Sequence, residues 1–301
     1  MKVALWSLNL ARKIESIEHW LTLLEEQLLT VQQQQVDILV LPEYFSEHFL
    51  SIAPSDLLLV QEVPWMAEQS VKLLEPIQRL ADHYKIAILA GTIPVSIDNG
   101  GSYVNRSYFF NPNKASQYQD KLCLTPGEKD ENGWLLQPGN HVQLIEYEGI
   151  KIAILICLDI EMPALSVLLA PLDIDLILVP SMTSKEAGYH RVFGCAKARA
   201  IELQAAIAVV GPIGRAGEDE SKRDQFRSAA AFYLPCEESL GHKGVLADKE
   251  MSKGDIVESL DQELLIGQLD LMHIRSLRHG AAEVWPGGWS AAHIDVLAPV
   301  S

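Results

Sequence analysis

The sequence predicts a mixed α/β sandwich formed by a single domain, residues 1–301. Short apolar runs rich in β-branched residues alternate with longer stretches in which apolar residues recur at helical spacing. This alternation is typical of βαβ units. No segment between the runs has the composition of a linker. We therefore expect one sheet to continue through most of the chain.

The first half of the chain contains the clearest alternation. Strands are predicted over residues 3–7, 38–41 and 86–90, with helices over residues 14–35 and 65–84. The segment 102–111 alternates in strand fashion behind the turn Asn99-Gly100-Gly101, which indicates an antiparallel hairpin. A loop is expected over residues 120–139.

The second half continues the pattern and then changes. Strands are predicted over residues 142–147, 152–156, 174–179 and 206–211, with helices over residues 164–169 and 189–203. The segment 215–227 is the most loop-like part of the chain. The last strand-like segments are expected to be antiparallel and to close a second sheet or extend the edges of the first, over residues 228–233, 244–247 and 264–269.

The charge balance argues against nucleic-acid and membrane partners. Lys and Arg total 24 against 40 Asp and Glu, a formal net charge of -16, which repels phosphate backbones and anionic membrane surfaces. The longest apolar stretches have the length of a strand and are far short of the roughly 20 residues that span a bilayer. The N-terminal apolar run is too short for a signal peptide. We expect a soluble globular protein in the cytoplasm.

Cysteine and histidine spacing does not indicate a metal site. Cys123, Cys157, Cys195 and Cys236 are far apart and form no C-x-x-C motif, which argues against a zinc ribbon, a redox motif or a disulfide framework. The nine histidines include no H-E-x-x-H motif. No metal is therefore expected.

Cys157 directly follows the predicted strand 152–156. The ends of such strands carry the chemistry of open α/β sheets, although a buried cysteine is more often a core residue. Two charged residues favour a chemical role. Glu43 follows the apolar run 38–41, and Lys121 lies among apolar residues. Together they provide a carboxylate to accept the thiol proton, an ammonium to neutralise developing negative charge, and a sulfur nucleophile.

Three ordered motifs resemble those of the nitrilase superfamily of carbon-nitrogen hydrolases. The motifs are Leu41-Pro42-Glu43, Asp120-Lys121-Leu122 and Cys157-Leu158-Asp159. Two further segments are also similar, Leu178-Val179-Pro180-Ser181 and Arg199-Ala200-Ile201-Glu202-Leu203-Gln204. The resemblance covers nearly the whole chain and rests on motif order as well as composition. It implies an αββα four-layer sandwich with a Glu-Lys-Cys triad.

The resemblance implies a role for each residue of the site. Glu43 would be the general base, Lys121 the transition-state stabiliser and Cys157 the nucleophile, with Glu128 in a supporting role. The backbone N–H of Leu158 would share the oxyanion with Lys121. The sulfur would attack an amide or nitrile carbon, an amine or ammonia would leave, and water activated by Glu43 would hydrolyse the thioester. No metal or organic cofactor is implied.

Four residues are candidates for substrate contact. Met182, Thr183 and Tyr189 lie in or beside a segment expected to form a loop near the pocket. Trp134 lies in the loop after Glu128 and could form a wall of the pocket. Packing is an equally good interpretation for Tyr189, at the start of a helix, and for Trp134. Arg199 and Glu202 are expected to form a structural ion pair or an oligomer contact.

The sequence leaves more than one function open. The leading hypothesis is a thiol-dependent hydrolase acting on a small linear amide, carbamoyl or ω-amide compound, with nitrile hydrolysis as the close alternative. A catalytically silent binding or scaffold protein of the same fold is disfavoured, because all three triad positions are occupied. A Cys-His protease would need a histidine partner, and the sequence does not single one out. The resemblance also implies a homodimer or a larger homo-oligomer.

Overall fold

The computed structural model describes residues 1–98, 101–216, 225–249, 263–282 and 291–296. Within these ranges the strands are β1 (Lys2–Trp6), β2 (Ile38–Val40), β3 (Ala87–Leu89), β4 (Ile93–Ser96), β5 (Tyr103–Phe110), β6 (Gln117–Asp120), β7 (Leu144–Tyr147), β8 (Ile150–Ile154), β9 (Leu176–Pro180), β10 (Ala206–Val210), β11 (Ala230–Tyr233), β12 (Val245–Asp248) and β13 (Leu264–Gln268). The α-helices of the same ranges are α1 (Ile17–Gln33), α2 (Leu59–Val71), α3 (Leu74–Tyr84), α4 (Pro163–Leu169), α5 (Glu186–Leu203) and α6 (Leu271–Ser276). None of these helices is long and apolar enough to cross a membrane.

The strands form two sheets. The first has the order β13-β1-β2-β3-β5-β4, with β6 paired to β5, and the second has the order β12-β11-β10-β9-β8-β7. The central strands β1, β2 and β3 are parallel, as are β8, β9 and β10. Antiparallel strands extend both sheets on either side. The centre of each sheet therefore consists of parallel strands whose carboxyl ends lie at one edge.

The alternation of side chains along β1 explains the layers. Val3 and Leu5 belong to the core that also contains the strands of the second sheet. Ala4 and Trp6 point the other way, into the core beneath α1 and α3. The outer face of the second sheet packs against α5, whose buried side chains include Val192, Phe193, Ala196, Ala200 and Leu203. The result is an αββα four-layer sandwich.

Two predictions about the elements are wrong. The strands divide into two sheets, whereas a single continuing sheet was expected, because apolar periodicity shows which residues are buried and not which strands pair. The helix expected over residues 65–84 is two helices, α2 and α3. Pro76 lies in the first turn of α3, where a proline is tolerated, but in an unbroken helix its ring would clash with the carbonyl of Lys72.

The predicted hairpin and the predicted strand before Cys157 are both present. The hairpin is confirmed by the antiparallel pairing of β4 with β5, although its predicted tip residues Asn99 and Gly100 lie outside the described residues, as does most of the loop 215–227. The strand placed at 152–156 is β8, which begins at Ile150 directly after a turn and ends at Ile154. Cys157 is therefore separated from the end of the strand by two residues.

Gly91 tests how closely the loop before Glu43 is packed. Gly91 has a φ of +47°, and a Cβ there would overlap the carbonyl oxygen of Pro42. Gly91→Ala should therefore lower the free energy of unfolding by about 3 kcal/mol, measured by urea denaturation. Gly194→Ala is the control, because that glycine lies in α5 with open space around it. The control should raise stability by about 0.5 to 1 kcal/mol; equal losses in the two variants would contradict the account.

Candidate active site

The three residues of the predicted triad meet at one end of the two sheets. Glu43 follows β2 of the first sheet, Lys121 follows β6 of the same sheet, and Cys157 follows β8 of the second. The backbone N–H of Glu43 donates to the carbonyl of Ser181, which follows β9 in the second sheet, at 3.3 Å. The site therefore spans both sheets and depends on how they are stacked.

Lys121 lies at the centre of a buried charge cluster. Its Nζ donates to Oε1 of Glu43 at 2.8 Å and to Oε1 and Oε2 of Glu128 at 2.8 and 2.7 Å. All three side chains are at least 95% buried. Burial opposes the ammonium charge, but the two carboxylates outweigh it and raise the pKa of Lys121. The cluster holds one cation between two carboxyl groups.

The two carboxyl groups differ in acidity. Burial raises the pKa of Glu43 to about 7, against the opposing effect of Lys121. Burial acts in the same direction on Glu128, but Lys121, the Thr125 N–H and the Tyr44 hydroxyl together outweigh it and lower the pKa. Glu43 consequently titrates near neutral pH while Glu128 remains ionised. Such a separation is typical of acid–base pairs with distinct roles.

Two residues that the sequence reasoning missed complete the cluster. The Asn105 amide donates from Nδ2 to Oε1 of Glu43 at 3.0 Å and to Oε1 of Glu128 at 3.3 Å. The Tyr44 hydroxyl donates to Oε1 of Glu128 at 2.7 Å. Asn105 sits on an alternating strand far from both partners in sequence, so no local pattern singles it out. Tyr44 directly follows Glu43, and that adjacency was the available signal.

Cys157 adopts an uncommon backbone conformation. It begins a short 3-10 turn, Cys157–Glu161, with a φ of +48°, a region that few residues other than glycine adopt. Its Sγ donates to the carbonyl of Met182 at 3.6 Å. Burial and the charge of Glu43 raise the pKa of the thiol well above its usual value, and Lys121 opposes them. At neutral pH the sulfur is protonated until a base accepts the proton.

Asp159 connects the turn Cys157–Glu161, here called the cysteine turn, to the two residues that follow Lys121. Its carboxylate accepts the N–H groups of Leu122 at 3.2 Å, Cys123 at 2.7 Å and Ile156 at 3.1 Å. Burial raises the pKa of Asp159 to about 6, and the backbone donors oppose this rise. Asp159 is part of the motif found in the sequence, which assigned it no role of its own.

The predicted ion pair between Arg199 and Glu202 is present. Nη1 of Arg199 lies 2.8 Å from Oε2 of Glu202. Nε of Arg199 also donates to the carbonyl of Ile160 at 3.3 Å. Because Ile160 belongs to the cysteine turn, α5 supports that turn from behind.

A cavity of about 740 Å³ opens onto the cluster. The predicted site residues that line it are Glu43, Lys121, Glu128, Trp134, Cys157, Leu158, Met182 and Thr183. Tyr189 is not among the lining residues. Its ring packs on Phe193 with the ring centroids 4.3 Å apart, which agrees with the packing interpretation. Over the described residues, no group of three or more His, Cys, Asp or Glu side chains could hold a metal ion.

Comparison with known proteins decides the family. The family model for carbon-nitrogen hydrolases matches residues 2–241. The chain belongs to the carbon-nitrogen hydrolase family. Membership of the nitrilase superfamily, predicted from three motifs, is thereby confirmed.

Three curated relatives are named as a probable hydrolase or as amidases. The chain is 26% identical over 277 residues to the probable hydrolase YhcX of Bacillus subtilis, covering 91% of this chain and 52% of YhcX. It is 28% identical over 184 residues to an (R)-stereoselective amidase of a Pseudomonas species, covering 61% of each. It is 26% identical over 182 residues to the omega-amidase YafV of Escherichia coli, covering 60% of this chain and 64% of YafV. The chain thus spans only about half to two thirds of the length of these relatives.

Solved structures share the fold. Nit3 of Saccharomyces cerevisiae, a member of branch 10 of the nitrilase superfamily, superposes with a TM-score of 0.67 at 19% identity, covering 94% of both chains. An amidase from a Nesterenkonia species gives a TM-score of 0.65 at 19% identity, covering 89% of this chain and 90% of that one. The E41L mutant of the amidase from Nesterenkonia sp. AN1 gives a TM-score of 0.66 at 18% identity, covering 92% of this chain and 94% of that one. In that structure the acetamide moiety of fluoroacetamide is covalently added at the active-site cysteine. The αββα prediction is confirmed.

The raised pKa of Glu43 gives a testable pH dependence of stability. Between its ordinary pKa of 4.5 and about 7, the folded protein keeps a proton that the unfolded chain releases. The contribution of Glu43 to the free energy of unfolding therefore falls as the pH rises, by at most about 1.4 kcal/mol per pH unit. Because glutamine does not titrate, Glu43→Gln should gain stability relative to the wild type as the pH rises through this range.

Urea denaturation at about pH 5, 6 and 8 measures this difference. Glu146→Gln is the matched control, because Glu146 is an exposed carboxylate on β7. The stability difference between Glu146→Gln and the wild type should change far less with pH. If the difference between Glu43→Gln and the wild type does not depend on pH, the assigned environment of Glu43 is wrong.

Proposed function

We propose that this protein hydrolyses the C–N bond of a small linear amide, carbamoyl or ω-amide compound through a thioester on Cys157. One observation carries the proposal. The Lys121 ammonium contacts two buried carboxyl groups, one of which titrates near neutral pH, in the cavity that Cys157 also lines. A thiol, a proton acceptor and a fixed cation are the groups that acyl transfer through sulfur requires.

In the first step, sulfur attacks the carbonyl carbon. The Cys157 thiol is protonated at neutral pH because its pKa is raised, so the proton must move as the S–C bond forms. Glu43, whose pKa is about 7, accepts it. The carbonyl oxygen becomes negative, and the Lys121 ammonium and the backbone N–H of Leu158 stabilise it.

The C–N bond then breaks. The departing nitrogen takes the proton from Glu43 and leaves as ammonia or an amine, and the acyl group remains on Cys157 as a thioester. Water gives a proton to Glu43 and adds to the thioester carbon, and the same two donors stabilise the second oxyanion. When this intermediate collapses, the sulfur leaves and regains the proton, and a carboxylic acid is released. Glu128 stays ionised throughout and holds the Lys121 ammonium in place.

Two further observations support an amide as the substrate. Curated relatives include an omega-amidase and an (R)-stereoselective amidase. The cavity volume of about 740 Å³ falls within the range of about 300 to 1,000 Å³ that is usual for small-molecule sites. Trp134, Met182 and Thr183 line this cavity, and we propose them as substrate contacts.

Ammonia release across a panel of linear amides, ω-amides, carbamoyl compounds and nitriles tests the proposal. At least one amide-type compound should be turned over by the wild type. Cys157→Ala should abolish the release, because the nucleophile is lost, and Cys157→Ser should leave only a trace. Cys195→Ala is the matched control, because Cys195 lies in α5 and is absent from the cavity lining; it should keep wild-type turnover.

Three results would contradict the proposal. Full activity in Cys157→Ala or in Cys157→Ser would show that the reaction does not proceed through a thioester on Cys157. Turnover of nitriles without turnover of any amide-type compound would assign the alternative reaction. Release from no member of the panel would favour a binding protein.

A further inference from the structure

We propose that Asp159 is a positioning residue that aligns the Cys157 thiol with the Lys121 ammonium. The inference rests on the proposed function and deepens it by assigning the geometry of the site to a residue that does not contact the reacting atoms. It follows from three features of the described residues: the placement of the Asp159 hydrogen bonds, the burial of its carboxylate without a direct ion pair, and the backbone conformation of Cys157.

The hydrogen bonds of Asp159 join the two segments that must be aligned. Leu122 and Cys123 follow Lys121 directly, and their N–H groups donate to Oδ1 of Asp159 at 3.2 and 2.7 Å. Ile156 directly precedes Cys157, and its N–H donates to Oδ2 at 3.1 Å. One rigid carboxylate therefore holds the exit from β6 in the first sheet and the turn after β8 in the second.

The carboxylate of Asp159 lies at a buried position where its negative charge destabilises the folded state. Asp159 is fully buried, and in the described part of the chain it forms no ion pair with Lys or Arg. Asp175 is also fully buried, but Arg275 and Arg278 pair with it. Because burial raises the pKa of Asp159 to about 6, its ionised form at neutral pH disfavours folding. Backbone N–H groups, rather than an ion pair, hold this carboxylate in place.

The backbone conformation of Cys157 makes the position of its sulfur sensitive to the Asp159 hydrogen bonds. The φ of +48° is held in the turn between Ile156 and Glu161. A rotation about the N–Cα bond of Cys157 would relax the backbone towards commoner conformations and carry the sulfur away from the cluster. The Asp159 hydrogen bond to the Ile156 N–H holds the residue before this bond in place and so limits the rotation.

Asp159→Asn tests the inference, because it keeps the size of the side chain but directs an NH2 group at an N–H donor. In the folded variant, kcat for the best amide should fall about 10- to 100-fold with KM changed less than about threefold. The rate of iodoacetamide alkylation at Cys157, followed by peptide mass spectrometry, should fall in parallel. The alkylation assay needs no substrate, so it reads the alignment even if no amide is turned over.

Asp175→Asn is the matched control, since it also removes a buried charge but lies directly before β9. It should lower the unfolding temperature and leave kcat and Cys157 alkylation of the folded protein unchanged. Asp159→Ser is a second variant, which keeps one acceptor oxygen and adds no misplaced donor of the amide type. It should show the same losses as Asp159→Asn.

Two outcomes would overturn the inference. Wild-type kcat and alkylation in folded Asp159→Asn or Asp159→Ser, even with a lower unfolding temperature, would make the carboxylate a purely structural group. Loss of folded protein in both variants would do the same, because the proposal concerns the geometry of an otherwise folded site.

Discussion

The contact of the Lys121 ammonium with two buried carboxylates is the constraint on which the rest of the site depends. Glu43 and Glu128 share one charged partner, and all three are withdrawn from water. Removing the ammonium would leave two buried carboxyl groups without a cation, whereas removing one carboxyl group would leave the ammonium with a single partner. The cluster therefore forces the segments after β2 and β6 into one arrangement and sets the different acidities of the two carboxyl groups.

The stacking of the two sheets brings a thiol to the cavity that this charge cluster lines. Glu43 follows β2 of the first sheet, yet its N–H donates to the carbonyl of Ser181, which follows β9 of the second. Cys157 leaves the second sheet through a turn with a positive φ, which brings it to the cavity that the cluster lines. The thiol is too weak an acid to ionise alone in this environment, and the near-neutral pKa of Glu43 is the complementary property. Burial thus raises the pKa of both groups, so that the thiol stays protonated at neutral pH while Glu43 titrates there.

Much of this arrangement could be predicted from sequence because its signals are local. Glu43 and Cys157 each follow an apolar run, and short motifs around them occur in a recognisable order. Asn105 could not be predicted, since its two carboxylate partners are distant in sequence and a buried polar residue within a strand has no pattern of its own. Tyr189 was placed among the candidate contacts by its position near a loop, but the orientation of its helix directs the ring to Phe193. Side-chain direction and strand pairing are tertiary properties, which periodicity does not contain.

The most direct test of the central claim is to trap the acyl group on the enzyme. The protein is mixed with a substrate amide, quenched in acid during turnover and analysed by intact and peptide mass spectrometry. A mass increase equal to the acyl moiety is expected on the peptide containing Cys157; it should be absent from Cys157→Ala and disappear when the amide is exhausted. Turnover with no adduct on that peptide at any time point of a slow single turnover, or an adduct on another residue, would contradict the proposed thioester on Cys157.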